Sequence, residues 1–146
     1  MIHARLPGGH REAARPGDGE EASAACEAGS YDIEVVEWGL DDSWARDIGA
    51  LVVTDGAGRR AGVDFAFNAW GEKFTPYDED ARFAERMCAY LGLERYEADH
   101  LVLEGGSVCV DGAGGVITTE QCLLHPNRNP DLSKDHLEAE LETWLG

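Results

Sequence analysis

Residues 40–47, with the sequence LDDSWARD, decide how this chain is interpreted. They place three carboxylates, one guanidinium and one indole between two apolar runs, residues 33–38 and 48–53. Such runs of β-branched residues favour strands, and polar side chains at a strand end can converge on a ligand. A second acid, Glu104, ends another apolar run in a similar frame. We expect Asp47 and Glu104 to belong to one site that holds a cation.

The composition narrows the class of protein. The chain has 146 residues, of which 43% are apolar, and this is the size of one ordinary domain. Its 29 acidic residues against 12 basic ones give a net charge of −17, which argues against nucleic acid or an anionic membrane as partner. No apolar run approaches the roughly 18 residues that span a bilayer, and no signal core begins the chain. We expect a cytoplasmic protein.

The four cysteines show neither a C-x-x-C pair nor a histidine at a metal-ligand interval. We therefore expect free, buried thiols and no metal-ligand set among the cysteines. Cys122 is the tempting nucleophile, but no histidine lies beside it in sequence to lower its pKa, and a structural role is the better interpretation.

The first 30 residues differ from the rest of the chain. They are rich in Gly, Ala, Glu, Arg and Pro, lack aromatic residues before position 31 and show no apolar period. We expect residues 1–30 to be disordered and the ordered domain to cover residues 31–146.

The ordered part contains an internal repeat, which predicts an α/β fold. The sequence Asp-Gly-Ala-Gly occurs at residues 55–58 and 111–114, each time between apolar runs, and predicts two hairpins 56 positions apart. A helix capped by Thr75, with Pro76 in its first turn, and a helix capped by Ser133 follow the hairpins. Gly92 ends the first helix. Units of this size bury their apolar faces against neighbours, and two are fewer than the roughly three needed for stability.

Several residues around the two acids are candidates for binding a guanidinium. Its planar N–H forks pair with two carboxylates, and the face of Trp44 can lie on the same cation. The alternative is that Asp47 pairs with Arg46 or caps a turn, that Glu104 is a surface acid and that Trp44 belongs to the core. Gly105 and Gly106 allow close backbone approach to a ligand or form a plain turn.

The segment 68–71 (NAWG) has two interpretations as well. Asn68 and Trp70 either line a pocket or form a capped loop with a packed indole.

These motifs together resemble agmatine deiminases and the related bacterial peptidylarginine deiminases. The resemblance runs from about residue 33 to residue 146. It is carried by residues 41–47 (DDSWARD), 63–71 (VDFAFNAWG), 103–107 (LEGGS), 118–124 (TTEQCLL) and 128–130 (RNP).

The resemblance implies about two blades, at residues 47–92 and 104–146, of a five-bladed pentein-type α/β propeller. It implies hydrolysis of agmatine to N-carbamoylputrescine and ammonia, in putrescine and polyamine biosynthesis. The acid matching Asp47 then holds the guanidinium, Trp44 packs beside it, and Glu104 supports the substrate or the catalytic histidine. A cysteine thiolate attacks the guanidinium carbon, the histidine protonates the departing ammonia, and water resolves the thiouronium. The resemblance also implies that no metal and no organic cofactor take part.

The family's Gly-His-x-Asp segment and its nucleophilic cysteine are expected beyond residue 146, and its opening blade is expected ahead of residue 33. We therefore expect a truncated or frameshifted deiminase with a foreign N-terminus and no activity alone. The alternatives are a non-catalytic module that binds guanidinium or amine, an interaction protein whose blade edges pair with a partner, and a peptidylarginine deiminase fragment. The oligomeric state stays open.

Overall fold

The computed structural model describes residues 2–6, 9–14, 17–27 and 33–146. The chain divides into two compact units, residues 1–45 and residues 46–146. Each unit contains β-hairpins or sheets together with helices, so the fold is mixed α/β, as predicted. No helix in the described ranges is long and apolar enough to cross a membrane.

The N-terminal unit is a three-stranded sheet with one helix. Strand β1 pairs antiparallel with β2, β2 pairs parallel with β3, and α1 connects β2 to β3. The predicted disorder is therefore wrong for residues 2–6, 9–14 and 17–27. Strand β1 does alternate apolar and polar residues, with Ile2, Ala4 and Leu6 at every second position, so the expected lack of an apolar period is wrong for residues 2–6. Strand β2 has no such alternation, and its backbone pairing with β1 and β3 specifies it. The elements are β1 (Ile2–Leu6), β2 (Gly9–Ala14), α1 (Gly19–Glu27) and β3 (Ile33–Glu37).

The second unit begins in a short helix, α2 (Ala45–Ile48), and continues into a three-stranded sheet of order β4-β5-β6. Strands β4 and β5 form the first predicted hairpin, and β6 lies parallel to β5 with Ala61 opposite Glu94. The strand bounds are β4 (Leu51–Thr54), β5 (Arg60–Ala66) and β6 (Glu94–Val102).

The second predicted hairpin is also present, formed by β7 (Val108–Val110) and β8 (Val116–Thr118). The two turns share one chemistry, because each begins with an aspartate whose Oδ1 accepts two backbone N–H groups. Asp55 accepts from Ala57 and Arg59, at 2.9 and 2.8 Å. Asp111 accepts from the amides two and four positions later, at 2.7 and 2.9 Å. The repeated turn signal therefore has a common physical basis.

The helix after the first hairpin starts later than predicted. Thr75 and Pro76 precede a turn and a 3-10 helix, Asp80–Arg82, and the α-helix α4 covers Phe83–Leu91. The pair Thr75-Pro76 constrains only the backbone next to it. Packing sets the start of α4 instead, because its first residue, Phe83, is 4% exposed and forms part of the core. Gly92 ends the helix with φ of 63°, as predicted.

The last helix, α6 (Lys134–Leu145), confirms its predicted cap, since the Ser133 side chain accepts from the backbone N–H of His136. The main core of the unit lies between β5, β6 and α6. Its most buried large side chains include Val63, Leu101 and Leu123, which are at most 2% exposed. Beyond Leu103 the chain turns from this core into the segment that carries Glu104.

Candidate guanidinium site

Asp47, in α2, has its carboxylate fixed by two donors from distant parts of the chain. The indole Nε1–H of Trp70 donates to Oδ2 at 3.1 Å, and the backbone N–H of Gly106 donates to Oδ1 at 2.9 Å. Both donors are uncharged, so they orient the carboxylate without neutralising it. The alternative pairing with Arg46 is not what the structure shows, because the Arg46 guanidinium donates to the carbonyl oxygen of Val108.

Gly105 and Gly106 allow close backbone approach to other residues of the second unit, and their contact with a ligand stays a prediction. A Cβ on Gly106 would lie under 3.0 Å from Asp47 Oδ1. A Cβ on Gly105 would lie equally close to the carbonyl oxygen of Arg46. The 3-10 helix Gly105–Ser107 therefore packs against α2 through two positions that only glycine fits.

Trp70 reaches Asp47 from a strained turn, α3 (Ala69–Glu72). Ala69, Trp70 and Glu72 have φ of 50°, 58° and 58°, in the left-handed region that costs each L residue about 1–2 kcal/mol. Asn68 caps the turn, since its Oδ1 accepts from the N–H of Gly71 at 2.9 Å. The capped-loop interpretation is thus correct, and the strain is located where an indole is aimed at a carboxylate.

Aromatic rings surround the Trp70 indole. Phe67 and Phe74 meet it edge to face, with ring centroids at 5.3 and 5.7 Å. Such T-shaped pairs stabilise by about 0.5–1.5 kcal/mol each beyond their buried area. The rings hold the indole plane and, with it, the direction of the N–H that binds Asp47.

Glu104 is 3% exposed, so it is not a surface acid. Its Oε1 accepts from Nε of Arg128 at 2.5 Å, and the Arg128 side chain is itself only 10% exposed. The cation beside Glu104 is therefore a guanidinium of the same chain. Such a partner offsets the cost of burying the charge of Glu104. The expectation that Asp47 and Glu104 belong to one cation site stays a prediction.

Sequence reasoning assigned no role to three residues that organise this region, Asn127, Arg128 and Asn129. The amide of Asn129 bonds both the N–H and the carbonyl of Val102, each at 2.9 Å, in the way that a neighbouring strand would. The available signal was the charged residue inside a polar loop bounded by two prolines, at positions 126 and 130.

Trp44 lies in the N-terminal unit, where its indole donates to Asp42 at 3.0 Å. It is 55% exposed, so it is not the core residue that the alternative interpretation required. Its packing against a guanidinium stays a prediction.

The cysteines offer no activated thiolate at Asp47 or Glu104. Cys88 is 1% exposed, and burial raises the pKa of its thiol, with the nearby charge of Asp64 adding to the effect. Cys122 is half-buried in α5 (Glu120–Leu123). Cys109 is exposed, which corrects the expectation that all four thiols are buried. Within the described ranges, no group of His, Cys, Asp and Glu could hold a metal ion.

The arrangement suits recognition of a guanidinium. Asp47 presents an oriented carboxylate, which pairs with planar N–H groups at about 2.7–2.9 Å in strong charge-assisted bonds. Glu104 and Arg128 form a rigid buried pair two residues from the amide that binds Asp47. The structure thus brings Asp47, Trp70, Asn68, Glu104, Gly105 and Gly106 into one region of the second unit.

Comparisons with known proteins agree with this chemistry. The family model of the Porphyromonas-type peptidyl-arginine deiminases matches residues 13–146, so the resemblance begins well before residue 33, and a foreign origin is wrong for residues 13–30. The chain is 54% identical, over 73% of its length, to a Selenomonas ruminantium protein assigned to the agmatine deiminases, and covers 30% of it. It is 42% identical, over 86% of its length, to an agmatine deiminase of Pseudomonas putida, and covers 38% of that protein.

A solved structure, the agmatine deiminase of Enterococcus faecalis, superposes on 90% of this chain with a TM-score of 0.81 and 37% identity. The chain covers 36% of that structure and thus spans between about a third and two fifths of these relatives' lengths. On the match over residues 13–146, the chain belongs to the Porphyromonas-type peptidyl-arginine deiminase family.

Proposed function

We propose that this chain supplies the guanidinium-holding part of an agmatine deiminase, which converts agmatine and water to N-carbamoylputrescine and ammonia. The observation that carries the proposal is the Asp47 carboxylate, which two neutral donors orient from opposite sides. The names of the relatives at 54% and 42% identity support agmatine as substrate. Putrescine synthesis in the cytoplasm is the corresponding cellular role.

In this proposal the substrate guanidinium pairs with Asp47, while Glu104 stays charged beside Arg128. The thiolate that forms the bond to the guanidinium carbon, and the histidine that protonates the departing ammonia, come from outside residues 1–146. The burial of Cys88 and the placement of Cys122 in a short helix support this assignment. The isolated chain then binds agmatine without turning it over.

The proposed architecture is part of a five-bladed propeller, with blades at residues 47–92 and 104–146. The shared Asp turn of the two hairpins supports the repeat. The N-terminal unit supports it too, because it has the same order of hairpin, helix and parallel strand as β4 to β6.

Two other candidates are separable by experiment. Peptidyl-arginine is favoured by the description of the matched family model, and a non-catalytic guanidinium-binding module by the same Asp47 geometry. Isothermal titration calorimetry of the chain with agmatine and with an arginine-containing peptide distinguishes the two ligands.

The test compares three proteins, the wild type, Asp47→Asn and the control Asp78→Asn, which changes an exposed acid in a turn. We expect agmatine to bind the wild type and the control equally and Asp47→Asn at least about tenfold more weakly, the loss of one charge-assisted bond. We expect no ammonia from any of them. Equal affinity of Asp47→Asn and wild type for agmatine contradicts the proposed site. Ammonia release by the purified chain contradicts the proposal that the attacking thiolate and the catalytic histidine come from outside residues 1–146.

A further inference from the structure

The two acids are joined through a closed ring of contacts. Glu104 accepts from Arg128, whose Nη1 donates to Oδ1 of Asn127 at 2.8 Å. The Asn127 Nδ2 donates to the Trp70 carbonyl at 3.4 Å, and the Trp70 indole donates to Asp47. Asp47 then accepts from Gly106, which is two residues from Glu104.

The partners of the Asn127 side-chain amide fix which way its oxygen and its nitrogen face. A guanidinium only donates, so the Asn127 oxygen must face Arg128, and a carbonyl only accepts, so the Asn127 nitrogen must face Trp70. An amide whose oxygen binds a cation becomes a stronger N–H donor, because neighbouring hydrogen bonds polarise each other. The charge of Arg128 therefore strengthens the contact with the strained turn that carries Trp70.

The same turn is held against residue 127 at two further points. Asn68 donates from Nδ2 to the backbone carbonyl of Asn127 at 2.8 Å. A Cβ on Gly71 would lie 2.8 Å from the Asn127 Cβ, and its φ of 86° also favours glycine. The strained turn and the 127–128 loop therefore adopt their conformations together.

We propose that Asn127 and Arg128 are positioning residues that hold the carboxylates of Asp47 and Glu104 in one fixed arrangement. Arg128 acts on Glu104 directly and on Asp47 through Asn127 and Trp70. This inference rests on the proposed function only in taking Asp47 as the residue that binds the guanidinium. The ring itself is testable without any ligand.

The experiment is a ¹H–¹⁵N correlation spectrum of the full chain, read at the four tryptophan indoles, with the Trp70 signal assigned through Trp70→Phe. In Arg128→Met we expect the Trp70 indole resonance to move by more than a line width, while the other three indole signals stay in place. A purely local role for Arg128 would leave the Trp70 signal unmoved, because the Arg128 guanidinium donates to Glu104 and Asn127.

Two further variants make the result decisive. Arg86→Met is the matched control, because it removes a guanidinium that is 25% exposed and paired with Glu79, and we expect no change at Trp70. If Arg128→Met fails to fold, Arg128→Lys keeps the charge but lacks the fork that reaches Glu104 and Asn127 together. We expect the same Trp70 shift in Arg128→Lys. A folded Arg128 variant with the wild-type Trp70 resonance overturns the proposal.

Agmatine titration separates this inference from the proposed function. We expect Arg128→Lys to weaken agmatine binding about tenfold, equivalent to about 1.4 kcal/mol, and Arg86→Met to leave the Kd unchanged. An unchanged Kd in Arg128→Lys overturns the positioning role at the site. If the Trp70 resonance moves in the Arg128 variants but the wild-type chain does not bind agmatine, the result contradicts the proposed function and supports the ring.

Discussion

The substitution Gly71→Ala tests the packing of the ring in the most quantitative way. The alanine must adopt φ of 86°, and its Cβ would lie under 3.0 Å from the Asn127 side-chain nitrogen. The backbone cost is about 1–2 kcal/mol. Displacing the Asn127 side chain also breaks its bond from the charged Arg128, which costs about 1.5–3 kcal/mol. The total destabilisation is about 2.5–5 kcal/mol.

A matched pair of variants separates these two costs. Gly58 has φ of 80° in the first hairpin turn, and a Cβ there would meet nothing within 4 Å. Gly58→Ala therefore reports only the backbone cost of about 1–2 kcal/mol. Gly56→Ala, which has open space and no positive φ, should stay within about 0.5 kcal/mol of the wild type.

The assay is urea unfolding, followed by tryptophan fluorescence, with the free energy of unfolding extrapolated to water. Because domains are stable by only about 5–15 kcal/mol, the expected loss in Gly71→Ala is a large shift of the midpoint. A Gly71→Ala protein no less stable than Gly58→Ala would refute the reasoning, since it would mean that Asn127 does not need the space beside Gly71.

Three other outcomes follow from burial and charge. Glu104→Gln should cost about 3–5 kcal/mol in urea unfolding, because it leaves Arg128 as an uncompensated buried charge; a loss under about 1 kcal/mol would show the pair to be solvated. Backbone amides hold the pKa of Asp111 below its ordinary 3.8, so the turn keeps this stabilisation above about pH 3.8 and loses it as pH falls through the lowered pKa. The protection factors of the turn amides, which are exchange rates corrected for the intrinsic effect of pH, should therefore fall in that acidic range and stay constant near pH 6; a fall near pH 6 would contradict the assignment to Asp111. Iodoacetamide should modify exposed Cys109 long before Cys88, which is 1% exposed with a raised pKa, as measured by mass spectrometry; equal rates would contradict the burial.

Local signals in the sequence predicted much of the second unit. The two Asp-Gly-Ala-Gly turns, the end of α4 at Gly92 and the cap of α6 at Ser133 all appear as predicted. Each depends on backbone geometry within a few residues, so the sequence pattern contains the whole cause. The start of α4 depends on packing against the core, and β2 depends on its parallel pairing with β3 beyond α1, so the local pattern contains neither.

In the candidate site, too, the sequence predicted some features and not others. Asp47 and Glu104 were singled out from the pattern of carboxylates between apolar runs and from the resemblance, although Asp47 lies in α2 and not at a strand end. The partner of Glu104 was not, because Arg128 is separated from it by a hairpin and a short helix. Likewise, nothing local shows that Gly105 and Gly106 make room for residues 46 and 47, a contact that exists only in the folded unit.

The central claim is that a guanidinium binds at Asp47. The most direct measurement is a titration of the ¹⁵N-labelled chain with agmatine, followed at the Gly106 amide and the Trp70 indole, the two groups that bind the Asp47 carboxylate. Putrescine, which is a diamine without a guanidinium, is the matched ligand. The account predicts saturable shifts of both resonances with agmatine and far weaker ones with putrescine. Agmatine binding that leaves both resonances unmoved, or equal shifts with putrescine, would contradict it.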